Sequence, residues 1–286
     1  MVTLDRLAVS PRARDALAAA LILVLSILNA VLLPRSITVI LEGGPAVDWL
    51  QFVEGGRRVF ANDLYETTNT YGYRYSPVAA YGFVLLEPIG TEGWRLLHVV
   101  AALALPTWPM RLVTLAAWPF WYDVEAGNLM VFVLLAAAWA FRRNPVGTFG
   151  FLAMALLFPR PLMLPLVAWI LWQQPAWRIP AAVMAAAHLG LAITSGWLIE
   201  WVALLTTLGG EQASPNNLGP TRLLGAWWFV VGIPLAAVLT WRHRLGWASL
   251  AISYPYVLPY YLIMAVMELP DRFGRDRATG PGSVRS

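Results

Sequence analysis

Hydrophobic positions in this chain come in long blocks instead of alternating with polar ones. The first apolar run covers residues 16–33. Shorter runs follow at 78–89, 94–108, 111–122, 128–141, 147–158, 161–173, 178–195, 223–241 and 245–267. Blocks that are apolar all round read as helices in lipid or in a large core, whereas a half-buried strand would alternate. The first run is long enough for a bilayer, whose hydrocarbon core takes about 20 residues. Arg6, Arg12 and Arg14 precede it and no small-residue cleavage site follows, so it reads as a retained first helix. One long stretch breaks the pattern: Asp48, Glu54, Arg57, Arg58, Asp63, Glu66 and Arg74 all lie between residues 48 and 74. Its first part, Val47–Ala61, has helical spacing. Trp49, Phe52, Val53 and Phe60 fall on one side, as in a helix lying in a membrane interface with its apolar side down.

Composition sharpens the class. Hydrophobic residues make up 59% of the chain and charged ones 13%, about half the charged share of a soluble domain. Cysteine is absent, which excludes disulfides and thiolate metal sites. All 20 basic residues are Arg, leaving Arg as the bidentate side-chain binder of oxyanions. In a chain this apolar, a net charge of +4 reports orientation and not nucleic-acid binding.

Arginine placement then sorts the topology. If every apolar run crosses, Arg142-Arg143 and the Arg178 turn face outward. If 78–89 is a half-membrane segment of the first outer loop, Arg111, Arg142, Arg143, Arg178, Arg242 and Arg244 all fall inside, as the positive-inside rule requires. The same choice places Asp48, Asp123, Glu125, Asn128, Arg160, Glu200, Glu211, Asn216 and Asn217 outside. The expected architecture is an all-α polytopic membrane protein of about 9–10 segments. Residues 1–269 form one domain, 34–93 a large first outer loop, and 270–286 a disordered cytoplasmic tail. The segment 197–208 reads as an outer amphipathic helix. The run 245–269, broken by Pro255 and Pro259, reads as one kinked helix or as two short ones meeting at an outer turn.

Two readings stand for Asp48: a helix N-cap, or a carboxylate that moves a proton beside the fixed cations Arg57, Arg58 and Arg74, which could hold a phosphate. Arg160, set between Pro159 and Pro161, either snorkels to the interface or faces a polar cavity. Asp123 and Glu125 read as acids at a helix start or as ligand-binding groups. His188 reads as a hydrogen-bonded interior residue and His243 as surface. No His/acid cluster has metal spacing, so no metal is expected.

The loop also resembles a known family. Asp48, Gly55 or Gly56, Leu64-Tyr65, Tyr73-Arg74-Tyr75-Ser76-Pro77 and Pro88 are similar to the first-loop pattern of glycosyltransferase family 87. That family is the branch of membrane GT-C glycosyltransferases that includes the phosphatidylinositol-mannoside mannosyltransferases. Ala126-Gly127-Asn128, the segment 158–165 and Asn216-Asn217-Leu218 resemble further family motifs more loosely. The family's Lys aligns with Phe158, with Arg160 two residues on, and its late-helix His appears here as Tyr260 or Tyr261. The resemblance implies a GT-C-like bundle and inverting transfer of a hexose, mannose in the named branch, from a polyprenyl-phosphate sugar. The acceptor would be a lipid or glycan at the outer face of the cell membrane. Asp48 would be the general base, Arg160, Arg57, Arg58 and Arg74 would hold the donor phosphate, and Asp123, Glu125, Asn128, Tyr75, Asn216 and Tyr260 would line the substrate. No cofactor is implied, and membrane lipids would surround the protein. A lipid or small-molecule transporter, or a catalytically degenerate scaffold of the same fold, is the alternative.

Overall fold

The computed structural model describes residues 11–61, 63–65, 73–207, 217–253 and 257–269. The described residues are helical, with no strand among them. Helix α1 (Pro11–Leu41) is followed by α2 (Val47–Ala61) and α3 (Pro77–Leu86), which a short turn at Glu87–Ile89 leads into α4 (Gly90–Leu103). Then come α5 (Trp108–Ala116), α6 (Trp118–Ala126), α7 (Met130–Phe141), α8 (Pro145–Leu157), α9 (Leu164–Gln173), α10 (Arg178–Thr194) and α11 (Leu198–Thr207). The last elements are α12 (Thr221–Leu224), α13 (Phe229–Trp241), α14 (Leu245–Ala251) and a 3₁₀ helix, Pro259–Glu268.

Short, well-punctuated loops make successive helices antiparallel. Asn144 caps α8 by accepting the Gly147 N–H at 2.9 Å, and Pro145 sits at the first helical position, where its missing N–H is harmless. Cross-links between distant residues identify the two ends of the resulting bundle. At one end lie Asp48 with Asn128, Arg160 with Tyr75, and the Ser76 N–H on the Leu157 carbonyl. At the other lie the Trp139 indole on the Ala104 carbonyl, Gln174 on the Ala140 carbonyl, and Trp169 on His243.

The segment after Pro77 does not run from one end of the bundle to the other. Ser76, before α3, is tied to Leu157, while Glu87, just after α3, is tied to Arg57 of α2. Trp94 and Arg95 of α4 are bonded to Gly127 and Gly44. Helix α3 thus folds back along α2 with both of its ends at the Asp48 end. The run 245–269 resolves into two short elements. Helix α14 and the 3₁₀ helix lie antiparallel, with Glu268 accepting from Arg244 and from the Gly246 N–H, and Val257 bonded back to Asn217 and Leu218.

Two expectations need correction. The run 111–122 is not one helix: Ala117 is extended ahead of the Trp118-Pro119 start of α6. Asn29 of α1 fills this break, accepting from the Trp118 N–H at 2.6 Å and donating to the Ala116 carbonyl at 3.1 Å. And α2 does not lay its apolar side on lipid. Trp49 stacks on Trp94 at 4.6 Å and Phe52 on Phe83 at 4.6 Å, with Phe158 closing the cluster, so that face is protein core. The buried stripe ends at Val59, and Phe60 is 70% exposed. The proposed tail, 270–286, lies outside the described residues.

Two helical segments among the described residues are long and apolar enough to cross a membrane, 175–194 and 221–241. Only 6% and 11% of their apolar windows are buried among the described residues, which leaves most of both faces apolar and uncovered by them.

Candidate active site

Asp48 stands in the first turn of α2, where a carboxylate complements exposed helix amides. Its surroundings go beyond capping. The Asn128 side-chain amide donates to Asp48 Oδ2 at 2.5 Å, and the Tyr260 hydroxyl donates to the same carboxylate. Arg160 and Arg74 add positive charge nearby. Part of Asp48 still reaches the surface, yet its neighbours crowd out enough water that burial dominates and raises its pKa above the usual carboxylate value. The Asn128 bond, the Arg160 charge, the Tyr260 bond and the Arg74 charge oppose that rise in decreasing order. A carboxylate has about four lone-pair positions, so these two donors leave room to accept a further proton.

The Asn128 contact depends on a glycine. Gly127 ends α6 with φ +69°, in the left-handed region. A Cβ there would lie 2.7 Å from Trp49 Cβ and 3.0 Å from Ala46 Cβ, so only glycine lets α6 end directly against the start of α2. Helix α4 holds the same turn from the other side. Trp94 Nε1 donates to the Gly127 carbonyl at 2.9 Å, and His98 Nε2 lies 2.7 Å from the Asn128 carbonyl. Arg95, between them, is buried and donates to the Gly44 carbonyl at 2.5 Å, bracing the link that leads into Asp48.

Arg160 approaches from the loop between α8 and α9. Its guanidinium donates to the Tyr75 hydroxyl at 2.8 Å and lies 5.2 Å from the Tyr75 ring centre and 5.7 Å from that of Tyr261, within cation–π range. Tyr260, next in chain to Tyr261, stacks on Tyr122. Arg160 also lines one end of an apolar cavity of about 590 Å³ between α8, α9 and α10, a volume typical of small-molecule sites.

The fold thus gathers Asp48, Asn128, Arg160, Arg74, Tyr75 and Tyr260, and sends the other expected residues elsewhere. Arg57 forms a two-donor pair with Glu87 at 2.6 and 2.8 Å, and Arg58 pairs with Glu54 at 2.9 Å. Both lie toward the far end of α2, with Arg57 about 13 Å along the axis from Asp48 at 1.5 Å per residue. Asp123 is fully buried and accepts the Met130 and Val131 N–H groups at 3.3 and 2.8 Å, so it serves the start of α7, as the helix-start reading expects, from its own place at the end of α6. Glu125 accepts from the Ser36 hydroxyl of α1. Asn216 lies outside the described residues. Its neighbour Asn217 is buried in a turn with Gly219, Thr221 and Val257. His188 is hydrogen-bonded to Ser76 at 3.0 Å but half-exposed and not interior. The surface reading of His243 holds.

The sequence reading missed Trp94, Arg95 and His98. The spacing of Trp94 and His98, four apart, was the available signal, since it puts both on one side of a helix. Comparison with known proteins returns no matching family model, no matching curated sequence and no matching solved structure.

Proposed function

We propose that this chain is a membrane-embedded glycosyltransferase of the GT-C type. It passes a hexose from a polyprenyl-phosphate sugar to a hydroxyl of a lipid or glycan acceptor. The observation that supports this reading best is the Asp48 carboxylate, oriented by Asn128 and Tyr260 and facing Arg160 across a site that adjoins an apolar cavity. Asp48 takes the acceptor O–H proton while that oxygen attacks the anomeric carbon. The bond from that carbon to the phosphate oxygen breaks on the opposite face, so configuration inverts. Polyprenyl phosphate leaves with its new negative charge on Arg160, a bidentate donor already held by Tyr75. The raised pKa makes Asp48 a stronger base than an exposed carboxylate.

The membrane setting draws on the two poorly buried apolar segments and on the arginines gathered at the end opposite Asp48. The positive-inside rule puts that end in the cytoplasm and Asp48 outside. Because the chain has no native cysteine, single cysteines report sidedness cleanly. One at Glu92 should react with an impermeant thiol reagent in intact cells, and one at Arg242 should not; the reverse pattern overturns the orientation. The function itself is tested by incubating purified protein with a radiolabelled polyprenyl-phosphate hexose and membrane-lipid extract. Label should move to an organic-soluble or glycan product. Folded protein that transfers nothing from any polyprenyl-phosphate hexose overturns the reading.

A further inference from the structure

The cavity beside Arg160 does not end there. Its walls are Leu152 and Ala155 of α8, Val167 and Leu171 of α9, and Ala181, Ala182 and Ala185 of α10, and at the far mouth stands Arg178. The stretch of α9 from Leu164 to Leu171 that forms the floor rises on the order of 10 Å. The cavity is therefore an elongated apolar slot with one arginine at each end and no acidic residue in its lining. Arg178 is exposed, and its Nε donates to the Leu171 carbonyl at 2.8 Å. That bond fixes the guanidinium at the rim, and its terminal amino groups make no hydrogen bond among the described residues. Arg142 and Arg143 belong to the same end of the bundle, so the local field there is positive.

An apolar slot with a fixed cation at its mouth, opening beside an almost unburied apolar helix, has the chemistry of a lipid site. Charge complementarity selects an anionic lipid. We propose that the Arg178 end binds the phosphate headgroup of an anionic membrane phospholipid, with one acyl chain lying in the slot. On the transferase reading, the same slot takes the donor's polyprenyl chain from the Arg160 end. The two lipids then compete, and the anionic phospholipid content of the membrane sets how readily donor is loaded. The phospholipid site itself does not depend on the transferase reading; only the competition does.

Native mass spectrometry of detergent-purified protein tests this with three probes: phosphatidylglycerol, phosphatidylcholine and an undecaprenyl phosphate. Phosphatidylglycerol should be retained in preference to phosphatidylcholine. Arg178→Ala should weaken phosphatidylglycerol by about fivefold, the effect of one interfacial arginine, and leave undecaprenyl phosphate nearly unchanged. Arg160→Ala should do the opposite. Ala182→Trp, which fills the slot, should expel both, and Ala155→Phe from the facing wall serves if that variant does not fold. Undecaprenyl phosphate should displace phosphatidylglycerol. Phosphatidylglycerol that survives the filled slot is annular lipid only and overturns the site, as does retention unaffected by Arg178→Ala. Both lipids bound at once on one molecule overturns the competition. A wild type without transfer activity sinks the transferase reading, yet leaves these binding arms to be read as they stand.

Discussion

The two ends of the bundle use the same residue in different ways. At the end away from Asp48, arginines bond backbone carbonyls at helix ends and in the links between helices. Arg111 donates to the Leu105 carbonyl, Arg142 to that of Ala138 and Arg178 to that of Leu171. Each places positive charge where carbonyls lack intrahelical partners, which is favourable by the macrodipole and by hydrogen bonding. At the Asp48 end, the Arg160 side chain turns to other side chains. It bonds a tyrosine hydroxyl, lies against two aromatic rings and adds positive charge at a crowded carboxylate. In the first arrangement an N–H of each guanidinium serves a nearby backbone carbonyl. The second collects groups of opposite charge around one carboxylate, and this contrast, more than the number of charges, separates the two ends.

The largest effect expected on that contrast comes from Asp48→Asn. Asn retains size and caps helices about as well as Asp, but cannot accept a proton. Transfer should fall roughly 10²–10⁴-fold while thermal stability and donor binding hold; near-full transfer by folded Asp48→Asn would reduce the residue to a cap. The pH profile carries a sign as well. Burial raises the Asp48 pKa, so transfer should fail, as pH drops, before an ordinary carboxylate would protonate. Asn128→Ala removes the strongest opposing influence and should move that acid limb higher still. For stability the sign runs the other way: with the folded pKa raised, protonating Asp48 favours the folded state as pH falls.

Gly127→Ala should come next. A left-handed non-glycine residue costs about 1–3 kcal/mol, and overpacking against Trp49 and Ala46 adds about 1–3 more. Thermal melts should show the loss, and transfer should fall with it as Asn128 is pushed off Asp48. An unchanged melt would mean that α2 and α6 can separate without penalty.

These two residues show what was legible in the sequence. Helices α7 to α10 fall within a few residues of the apolar runs because Arg142-Arg143-Asn144-Pro145, Pro159-Arg160-Pro161 and Gln174-Pro175 punctuate them chemically. Asp48, Tyr75, Asn128 and Arg160 stood out through residue type and local company, and the fold brings them together. What stayed hidden has remote partners. Asn29 fills the break after Ala116 from 87 residues away, and Ser36 meets Glu125 across 89. Asp123 was legible as an acid at a helix start, but its capping of α7 from the last turn of α6, where Gly127 turns the chain back over it, was not. No periodicity announces such pairings. They follow only once the helices are packed.

Arg160→Ala should weaken the donor step by about 1.5–3 kcal/mol, the worth of a charged hydrogen bond, seen as a raised KM for the polyprenyl-phosphate sugar or a lowered kcat. Arg160→Lys should recover only part, since a point charge replaces the planar fork. Full activity in Arg160→Ala would erase the difference between the two ends and send the phosphate to Arg74, the other cation that acts on Asp48.

The smallest effect belongs to Arg57→Ala, and its smallness is the point. Sequence alone sets Arg57 and Arg58, with Arg74, beside Asp48 as cations that hold the phosphate, because all fall in one charged stretch. The structure pairs Arg57 with Glu87 and leaves its side chain 62% exposed, several turns from the carboxylate. An exposed ion pair is worth about 0–1 kcal/mol, so stability should change little, and it should change less at high salt, where the pair is already screened. Donor KM and kcat should match wild type, while Arg74→Ala, half-buried and acting on Asp48, should not. If instead Arg57→Ala raises the donor KM as much as Arg160→Ala does, the phosphate sits at the far end of α2. The carboxylate there is then Glu54 or Glu87, both already engaged by arginines, and the argument for Asp48 as the base loses its geometry.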